Sequence, residues 1–222
     1  MAEFPFDIVA FDLDGTLLES HRDLGTAVNH ALALGGFTKV PLESASSLIG
    51  GGAKAMLKQA ITAQGGLEED AFHHLYKEML AYYGSHYAVH SRLYPGATDV
   101  LHALREKGVR TAIVTNKFEE FARGILSELE IDKLFDCVIG GDSLGKGKAK
   151  PAPDPLFEAQ KRCGGGSLLF VGDSSYDMRA ARAGGFAFVV ACYGYCDLAQ
   201  DEFDADGFID SLDALLPVAS AL

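Results

Sequence analysis

Five short apolar runs recur along the chain, and each is rich in β-branched or aromatic residues. Their hydrophobicity is continuous rather than alternating, which is typical of strands buried on both faces of a parallel sheet. The runs are DIVAF (7–11), TAIVT (111–115), DCVIGG (136–141), SLLFVG (167–172) and FAFVVA (186–191). The pattern therefore predicts buried parallel strands at these positions.

Helical periodicity fills most of the intervals between these runs. In the segment 97–108, Val100, Leu101 and Leu104 share one helical face, and the glycine that ends the segment is a typical C-terminal cap. Similar patterns occupy residues 119–131, 154–164 and 176–185. Alternating strands and helices predict an α/β fold with a doubly wound sheet.

One long interval contains helical patterns and no convincing strand. It runs from about Glu19 to Tyr94, between the first two apolar runs. Its helix-like segments are residues 23–36, 42–50, 53–66 and 68–90. This interval is interpreted as an all-helical insertion, and LYPGA (93–97) as the turn that returns the chain to the sheet domain.

Composition narrows the possible partners. The 222 residues are 48% hydrophobic, enough for one full core or for a core domain with an insertion. The net charge of -12 argues against a surface for nucleic acid or anionic membranes, since phosphate groups recruit basic patches.

The amino-terminal segment lacks the pattern of a secretory signal, and no apolar run approaches the ~20 residues of a membrane span. A cytoplasmic location is therefore predicted.

The four cysteines lack the paired CxxC spacing of a metal or redox site. They are Cys137, Cys163, Cys192 and Cys196, and they lie in or beside apolar segments. This setting favours structural thiols over a metal or redox site.

Polar residues directly follow three of the predicted strands. They are Asp12 and Asp14 after the first, Thr115 and Asn116 after the second, and Asp173 and Asp177 after the fourth. Because ligands of open α/β sheets bind outside the carboxyl ends of the strands, these side chains are expected to converge at one edge. Lys150, in the proline-rich segment AKPAPDP, could reach the same edge from a loop.

Four carboxylates in one crevice need a cation, because like charges that lie close together resist ionisation. Oxygen ligands without sulfur or nitrogen favour a hard cation, and the cluster predicts Mg²⁺. With a phosphate bound, the metal and Lys150 would offset the repulsion between an anionic nucleophile and an anionic substrate.

The spacing of Asp12 and Asp14 gives each a separate role. Residues two apart lie on the same side of an extended chain, so Asp12 would attack phosphorus to form an aspartyl-phosphate. Asp14 would protonate the leaving alkoxide and then activate the hydrolytic water. Gly15 would let the chain turn without a side chain that blocks the phosphate. The Thr115 hydroxyl and nearby backbone N–H groups would hold the phosphate oxygens.

At these residues the sequence resembles the haloacid dehalogenase superfamily. Its four motifs match DLDGT (12–16), VTN (114–116), AKPAPDP (149–155) and GDSSYD (172–177) in the family's order. The resemblance implies a Rossmann-like core with helices on both faces, formed by residues 1–18 and 92–222. It also implies that residues 19–91 form a helical cap that closes over small substrates.

The same resemblance implies the roles of individual residues. Asp12 is then the nucleophile and Asp14 the acid and base. Mg²⁺ is held by the Asp12 side chain, the Asp14 backbone carbonyl and Asp173. Asp177 is either a further ligand or a support for the ligands.

Within the family, the chain is similar to the phosphoglycolate phosphatases. The similarity covers LIGGGAKAM, LYPGA, VTNK, VIGGD, KPAPDP and YGY. It departs from the expected pattern at Ser175 and Tyr176, where a basic and a small polar residue are expected. The resemblance implies a phosphoric monoester hydrolase for a small phosphorylated metabolite, with 2-phosphoglycolate as the first candidate. A phosphosugar phosphatase or mutase, a phosphonate hydrolase and a catalytically silent binding module remain alternatives.

Substrate choice is expected to lie in the cap. Gly51 and Gly52 precede a predicted helix, whose free N–H groups can bind an anion, and Lys54 lies in its first turn. We expect this loop to bind the substrate's carboxylate; a solvated turn remains the alternative.

Overall fold

A six-stranded parallel sheet forms the centre of the larger of two compact units. The computed structural model describes residues 4–222, so the first three residues of the predicted core segment lie outside the described range. The larger unit contains the residues up to Glu19 and Leu93–Leu222, and the smaller unit is Ser20–Arg92. These boundaries lie one residue from those predicted by the sequence pattern.

The strands are short and follow the apolar runs. In chain order they are β1 (Ile8–Phe11), β2 (Leu18–Glu19), β3 (Arg92–Leu93), β4 (Arg110–Val114), β5 (Cys137–Ile139), β6 (Leu168–Gly172), β7 (Ala187–Ala191) and β8 (Gly207–Ile209). The main sheet has the order β5-β4-β1-β6-β7-β8, and β2 and β3 form a separate two-stranded sheet. All five predicted core strands are confirmed. Sequence reasoning missed β2 and β3, which have two residues each, and β3 lies in the interval where no strand was predicted. It also missed β8, because its three residues lie in a polar segment with no extended apolar run.

Eight α-helices are present in residues 4–222. They are α1 (His21–Leu34), α2 (Ala53–Thr62), α3 (Glu69–Gly84), α4 (Ala97–Glu106), α5 (Glu119–Glu128), α6 (Asp154–Arg162), α7 (Ser175–Gly184) and α8 (Leu215–Ala219). Strands and helices alternate through the larger unit, and the predicted fold class is confirmed. None of these helices has the length and apolar character that crossing a membrane requires. The cytoplasmic location stays a prediction.

Both faces of the sheet are buried, which explains the continuous apolar runs. All four residues of β1 have no exposed surface. Ile8 and Ala10 belong to a cluster with Phe170 and with apolar residues of α6 and α7. Because side chains alternate along a strand, Val9 and Phe11 must be buried on the opposite face. A half-solvated sheet would have needed polar residues at these positions.

The smaller unit is built from α1, α2, α3 and a 3-10 helix at Leu42–Leu48, where the sequence pattern predicted a helix-like segment. A buried carboxylate joins its two ends. Asp23, in the first turn of α1, accepts hydrogen bonds from the backbone N–H groups of His90 and Ser91 at 2.9–3.0 Å and from the Ser91 hydroxyl at 2.8 Å. These bonds satisfy the carboxylate in place of water.

Candidate active site

Three neighbouring strands carry the candidate residues to one edge of the sheet. Strand β1 lies between β4 and β6, and Phe11 is in register with Ile113 and Val171. The residues that follow these strands therefore leave the sheet side by side. Because of this register, Asp12, Thr115 and Asp173 lie at the same edge although they are far apart in sequence.

Three carboxylates meet at this edge. Oxygens of Asp12, Asp173 and Asp177 all lie within 4.8 Å of one another, and all three residues are buried. Burial raises the pKa of Asp12 to about 6, although the charge of Lys150 opposes the shift. Burial, together with the charges of Asp177 and Asp12, raises the pKa of Asp173 well above its usual range. The cluster therefore carries more negative charge than the protein itself compensates.

Lys150 lies between two of these carboxylates. Its Nζ is 3.0 Å from Asp12 Oδ1 and 2.5 Å from Asp177 Oδ1, and it lies over the Phe170 ring at 5.4 Å. Burial alone would lower the pKa of Lys150, but the charges of Asp12 and Asp177 raise it above its ordinary value. The side-chain amide of Asn116 donates to the Lys150 backbone carbonyl at 3.1 Å. Asn116 thereby fixes the backbone from which the lysine reaches the cluster.

A second buried lysine contacts Asp14, and sequence reasoning missed it. Lys117 Nζ lies 2.9 Å from Asp14 Oδ2, and Lys117 is 8% exposed. The backbone N–H of Lys117 donates to the Thr115 hydroxyl oxygen at 3.2 Å. The signal in the sequence was a basic residue just after the end of β4, within VTNK. Both Asp12 and Asp14 therefore have their own ammonium partner.

Comparisons with known proteins identify the family. A profile of haloacid dehalogenase-like hydrolases matches residues 6–185. The chain belongs to this family. The hydrolase is 39% identical to a phosphoglycolate phosphatase of Nitrosospira multiformis over 94% of the chain and 93% of that protein. It is 37% identical to a phosphoglycolate phosphatase of Haemophilus influenzae over 96% of the chain and 98% of that protein.

A solved structure agrees with these relatives. The crystal structure of a predicted phosphoglycolate phosphatase from Haemophilus somnus matches with a TM-score of 0.88 and 33% identity, over 96% of the hydrolase and 97% of that chain. The predicted family and the predicted enzyme class, a phosphatase, are thereby confirmed. The roles of individual residues stay predictions.

A loop after β7 completes the surroundings of Asp173 in the hydrolase, beyond the matched profile. The backbone N–H of Tyr195 donates to Asp173 Oδ2 at 2.7 Å, and the Thr16 hydroxyl donates to Asp173 Oδ1 at 3.0 Å. A Cβ at Gly194 would lie 2.4 Å from the Asp173 Cβ and 2.4 Å from the Gly15 carbonyl oxygen. Only glycine allows this approach. The sequence signal was YGY, which reasoning from strand ends did not connect with Asp173.

Gly15 is required for a closely related reason. Its φ is +87°, and a Cβ there would lie 2.1 Å from Asp173 Oδ2. Sequence reasoning attributed this glycine to a sharp turn beside the phosphate. The structure adds the close approach of the Asp173 carboxylate, which leaves no room for a side chain.

Asp177 also belongs to the capping box of α7, in which Ser174 is the N-cap residue. Its Oδ2 accepts from the Ser174 N–H at 3.0 Å and from the Ser174 hydroxyl at 2.6 Å, in a capping box. Its Oδ1 contacts Lys150. Both carboxylate oxygens of Asp177 are therefore engaged by protein groups, one of them a cation.

The two unusual residues of GDSSYD form their own network at the start of α7. The Ser175 N–H and hydroxyl each donate to the Asp197 carboxylate at 2.6 Å. Arg179 donates to the Ser175 hydroxyl oxygen at 2.6 Å and lies over the Tyr176 ring at 5.2 Å. Ser175 and Tyr176 therefore interact with Asp197 and Arg179 at the first turn of α7.

The predicted substrate loop belongs to the smaller unit. Helix α2 begins at Ala53, as the sequence predicted, with Gly52 as its N-cap at a φ of 82°. Gly51 is half-buried, and Lys54 is exposed in the first turn of the helix. Their contact with a substrate stays a prediction.

Proposed function

We propose that this hydrolase removes phosphate from 2-phosphoglycolate through a covalent intermediate on Asp12. The observation that carries the proposal is the contact of Asp12 with Lys150 at 3.0 Å inside the carboxylate cluster. The Leu13 N–H also donates to Asp12 Oδ1 at 2.7 Å, which holds the carboxylate in a fixed orientation. A fixed, partly neutralised carboxylate is the nucleophile that attack on a phosphate dianion needs. The named activity of the relatives supports the choice of substrate.

Asp14 is proposed as the acid and base. It lies two residues beyond Asp12, and its Oδ2 contacts Lys117 at 2.9 Å. As an acid it donates a proton to the leaving alkoxide, and as a base it takes a proton from the attacking water. The contact with Lys117 holds its side chain in a fixed position.

The carboxylate cluster fits a bound Mg²⁺. The donors are oxygens only and they are buried, and burial together with the charge of Asp177 raises the pKa of both Asp12 and Asp173. We propose that the Asp12 and Asp173 side chains and the Asp14 backbone carbonyl hold the ion. When bound, Mg²⁺ would neutralise charge on the phosphoryl oxygens. The contact of Asp177 with Lys150 and its capping box support a role for Asp177 in anchoring Lys150.

The remaining core residues are proposed to hold the phosphoryl group or the groups around it. The Thr115 hydroxyl and Lys150 would contact its oxygens. Asn116 would act through Lys150, since it donates to the Lys150 carbonyl. Gly15 would leave room for the phosphate and for Asp173.

We further propose that the smaller unit is the substrate cap and that Gly51, Gly52 and Lys54 bind the carboxylate of the substrate. The glycine-led start of α2 supports this role, because unpaired N–H groups at a helix start attract anions. The positive charge of Lys54 in the first turn adds to this attraction. The carboxylate distinguishes 2-phosphoglycolate from a phosphate monoester whose organic part is uncharged.

A substrate panel tests this proposal. Purified protein is assayed for phosphate release from 2-phosphoglycolate, glucose 6-phosphate, phosphonoacetaldehyde and p-nitrophenyl phosphate, with Mg²⁺ and with excess chelator. We expect the highest kcat/KM for 2-phosphoglycolate and loss of activity in chelator. The Lys54→Ala variant is expected to raise KM for 2-phosphoglycolate by about tenfold, the value of one charge-assisted hydrogen bond, with KM for p-nitrophenyl phosphate unchanged.

Lys58→Ala is the matched control for the cap, since Lys58 is exposed on the same helix one turn later. It should leave both KM values unchanged. An unchanged KM for 2-phosphoglycolate in Lys54→Ala would refute the carboxylate contact and leave the phosphatase reaction intact. A preference for the hexose phosphate or the phosphonate would replace the proposed substrate. No turnover of any compound would favour a binding module.

Replacing Gly194 by alanine tests the loop that supports Asp173. The new methyl group would clash with the Gly15 carbonyl oxygen and the Asp173 Cβ. Neither atom can move without a shift of its own backbone. The loop must move, and with it the N–H of Tyr195 that holds Asp173. We expect kcat/KM to fall about tenfold to a hundredfold, as ångström-scale misplacement commonly causes. The concentration of Mg²⁺ needed for half-maximal activity should rise in parallel.

Gly108→Ala provides the control for this change. Gly108 lies after α4, with a φ of +76° and no atom within 4 Å of an added Cβ. Its replacement strains the backbone and lowers stability without touching the Asp173 cluster. If Gly194→Ala kept full activity and the same Mg²⁺ requirement, the loop would have no positioning role.

A further inference from the structure

Two cysteines outside the proposed reaction lie in contact inside the larger unit. Cys137 begins β5 and Cys163 follows α6, and their sulfur atoms are 3.8 Å apart. Both residues are buried free thiols. The other two cysteines, Cys192 and Cys196, are partly exposed, and the Cys196 thiol contacts the Ala191 carbonyl oxygen at 3.6 Å. Only the first pair therefore has its sulfurs directed at each other among the described residues.

Both cysteines contact the same backbone carbonyl oxygen, that of Ala159. The Cys163 N–H donates to the Ala159 carbonyl oxygen at 2.9 Å, and the Cys137 sulfur lies 4.0 Å from the same oxygen. A disulfide has a sulfur–sulfur length of about 2.05 Å, so each sulfur needs to move by about 1 Å. A movement of this size is within the range of side-chain rotation.

A surface pocket of about 420 Å³ leads to Cys137. Cys137 forms part of its wall, together with Arg123 and Arg162. Cys137 is at the amino end of β5, whereas the catalytic residues follow the carboxyl ends of the neighbouring strands. A small oxidant can therefore approach the pair from the Cys137 side without entering the catalytic edge.

We propose that Cys137 and Cys163 are a redox modification site, at which a hydroperoxide converts the two thiols into an intramolecular disulfide. In the first step the thiolate of one cysteine of the pair attacks a peroxide oxygen, which gives a sulfenic acid and releases hydroxide. In the second step the sulfur of the other cysteine attacks the sulfenic sulfur and displaces a second hydroxide. With hydrogen peroxide the two thiols lose two hydrogens in total, and the peroxide is reduced to two waters.

The contact between the two thiols supports both steps. A hydrogen bond between the thiols lowers the pKa of the Cys163 thiol and raises that of the Cys137 thiol. The thiolate is the reactive form of cysteine, and a hydrogen bond from the neighbouring thiol favours it. The second sulfur then lies within contact distance to resolve the sulfenic acid.

The disulfide would close the chain segment that carries Lys150. Cys137 and Cys163 lie on either side of this segment. A cross-link between them would lower the conformational entropy of the unfolded chain and so stabilise the folded one. The bridge would lie at the opposite end of the sheet from the carboxylate cluster. Oxidation is therefore expected to stabilise the fold and to leave phosphate release unchanged.

Peptide mapping of the wild-type protein tests the proposal directly. The purified protein is treated with hydrogen peroxide, its remaining thiols are alkylated, and it is digested without reduction. We expect a cross-linked peptide that joins Cys137 to Cys163, alkylation of only Cys192 and Cys196, and reversal by dithiothreitol. The thermal midpoint of the oxidised protein should rise by roughly 5–10 °C.

Two variants serve as controls. Cys163→Ala should lose the cross-linked peptide and the rise in the thermal midpoint, and Cys192→Ala should keep both. Oxygen adducts on single cysteines without a cross-link, or a cross-link between Cys192 and Cys196, would overturn the proposal. The wild-type map decides the question even if Cys163→Ala does not fold.

Discussion

Replacing Asp12 by asparagine is expected to lower kcat about a thousandfold or more, the scale of losing a covalent nucleophile. The amide is nearly the same size as the carboxylate, so the packing around residue 12 is preserved. It carries no charge and is a far weaker nucleophile towards phosphorus. The measurement is steady-state phosphate release with Mg²⁺, with the mass of the variant checked because asparagine can hydrolyse back to aspartate.

The intermediate itself provides the second readout. When the wild-type enzyme is quenched with acid during turnover, peptide mapping should find phosphate on Asp12. Asp14→Asn is the matched variant, because it removes the proposed acid and base and keeps the proposed nucleophile. With p-nitrophenyl phosphate, whose leaving group needs little protonation, this variant should accumulate the phosphorylated form while its turnover falls. Phosphate on another residue, or full activity of Asp12→Asn, would refute the proposed mechanism.

Replacing Lys150 by methionine is expected to lower kcat/KM by about a hundredfold or more, the scale of removing one group that stabilises transition-state charge. Methionine keeps much of the volume of the side chain and removes its charge. The positive charge of Lys150 holds the pKa of Asp12 down against the effect of burial. Without it that pKa rises further, so less of the carboxylate is ionised at neutral pH and more of the nucleophile is inactive.

The same change is expected to reduce stability. Lys150 is paired with Asp12 and Asp177, and removing one partner of a buried ion pair commonly costs about 3–5 kcal/mol. Urea unfolding in chelator measures the loss, and far-ultraviolet circular dichroism checks the fold. Lys148→Met is the matched control, because that lysine is 55% exposed and lies 3.4 Å from Asp154. Equal behaviour of the two variants would exclude a special role for Lys150.

Charge balance connects these two predictions. Asp12, Asp173 and Asp177 are close together and buried, and Lys150 supplies one positive charge to this cluster. Mg²⁺ would supply the remainder when bound. In the proposed reaction Asp12 would then approach the substrate phosphate as part of a nearly neutral group, which would remove the charge repulsion that opposes attack.

The architecture of the larger unit could be predicted because its strands are buried on both faces. Such strands leave continuous apolar runs that need no knowledge of their neighbours. The amphipathic pattern of α4 and its terminal glycine were equally local. Strand β8 could not be predicted, because three residues at the edge of the sheet carry too little pattern.

The candidate site was predictable where its residues directly follow strands. Asp12, Thr115 and Asp173 fall under that rule, since the ends of parallel strands meet at one edge. Lys117 and Gly194 do not, because their importance rests on contacts with Asp14 and Asp173 that only the folded chain creates. The contact between Cys137 and Cys163 likewise joins two elements whose spacing in sequence indicates nothing.

The sequence alone determined the alternation of strands and helices, the helical insertion and the order of the four motifs, since each depends on local periodicity or on a short pattern. The tertiary structure decided that Lys117 pairs with Asp14 and that Lys150 pairs with Asp12 and Asp177. It also revealed that the approach of Asp173 leaves no room for a side chain at Gly15 or Gly194. The physical reason is distance: electrostatic and steric effects depend on separations of a few ångströms, and chain order does not specify these between distant segments.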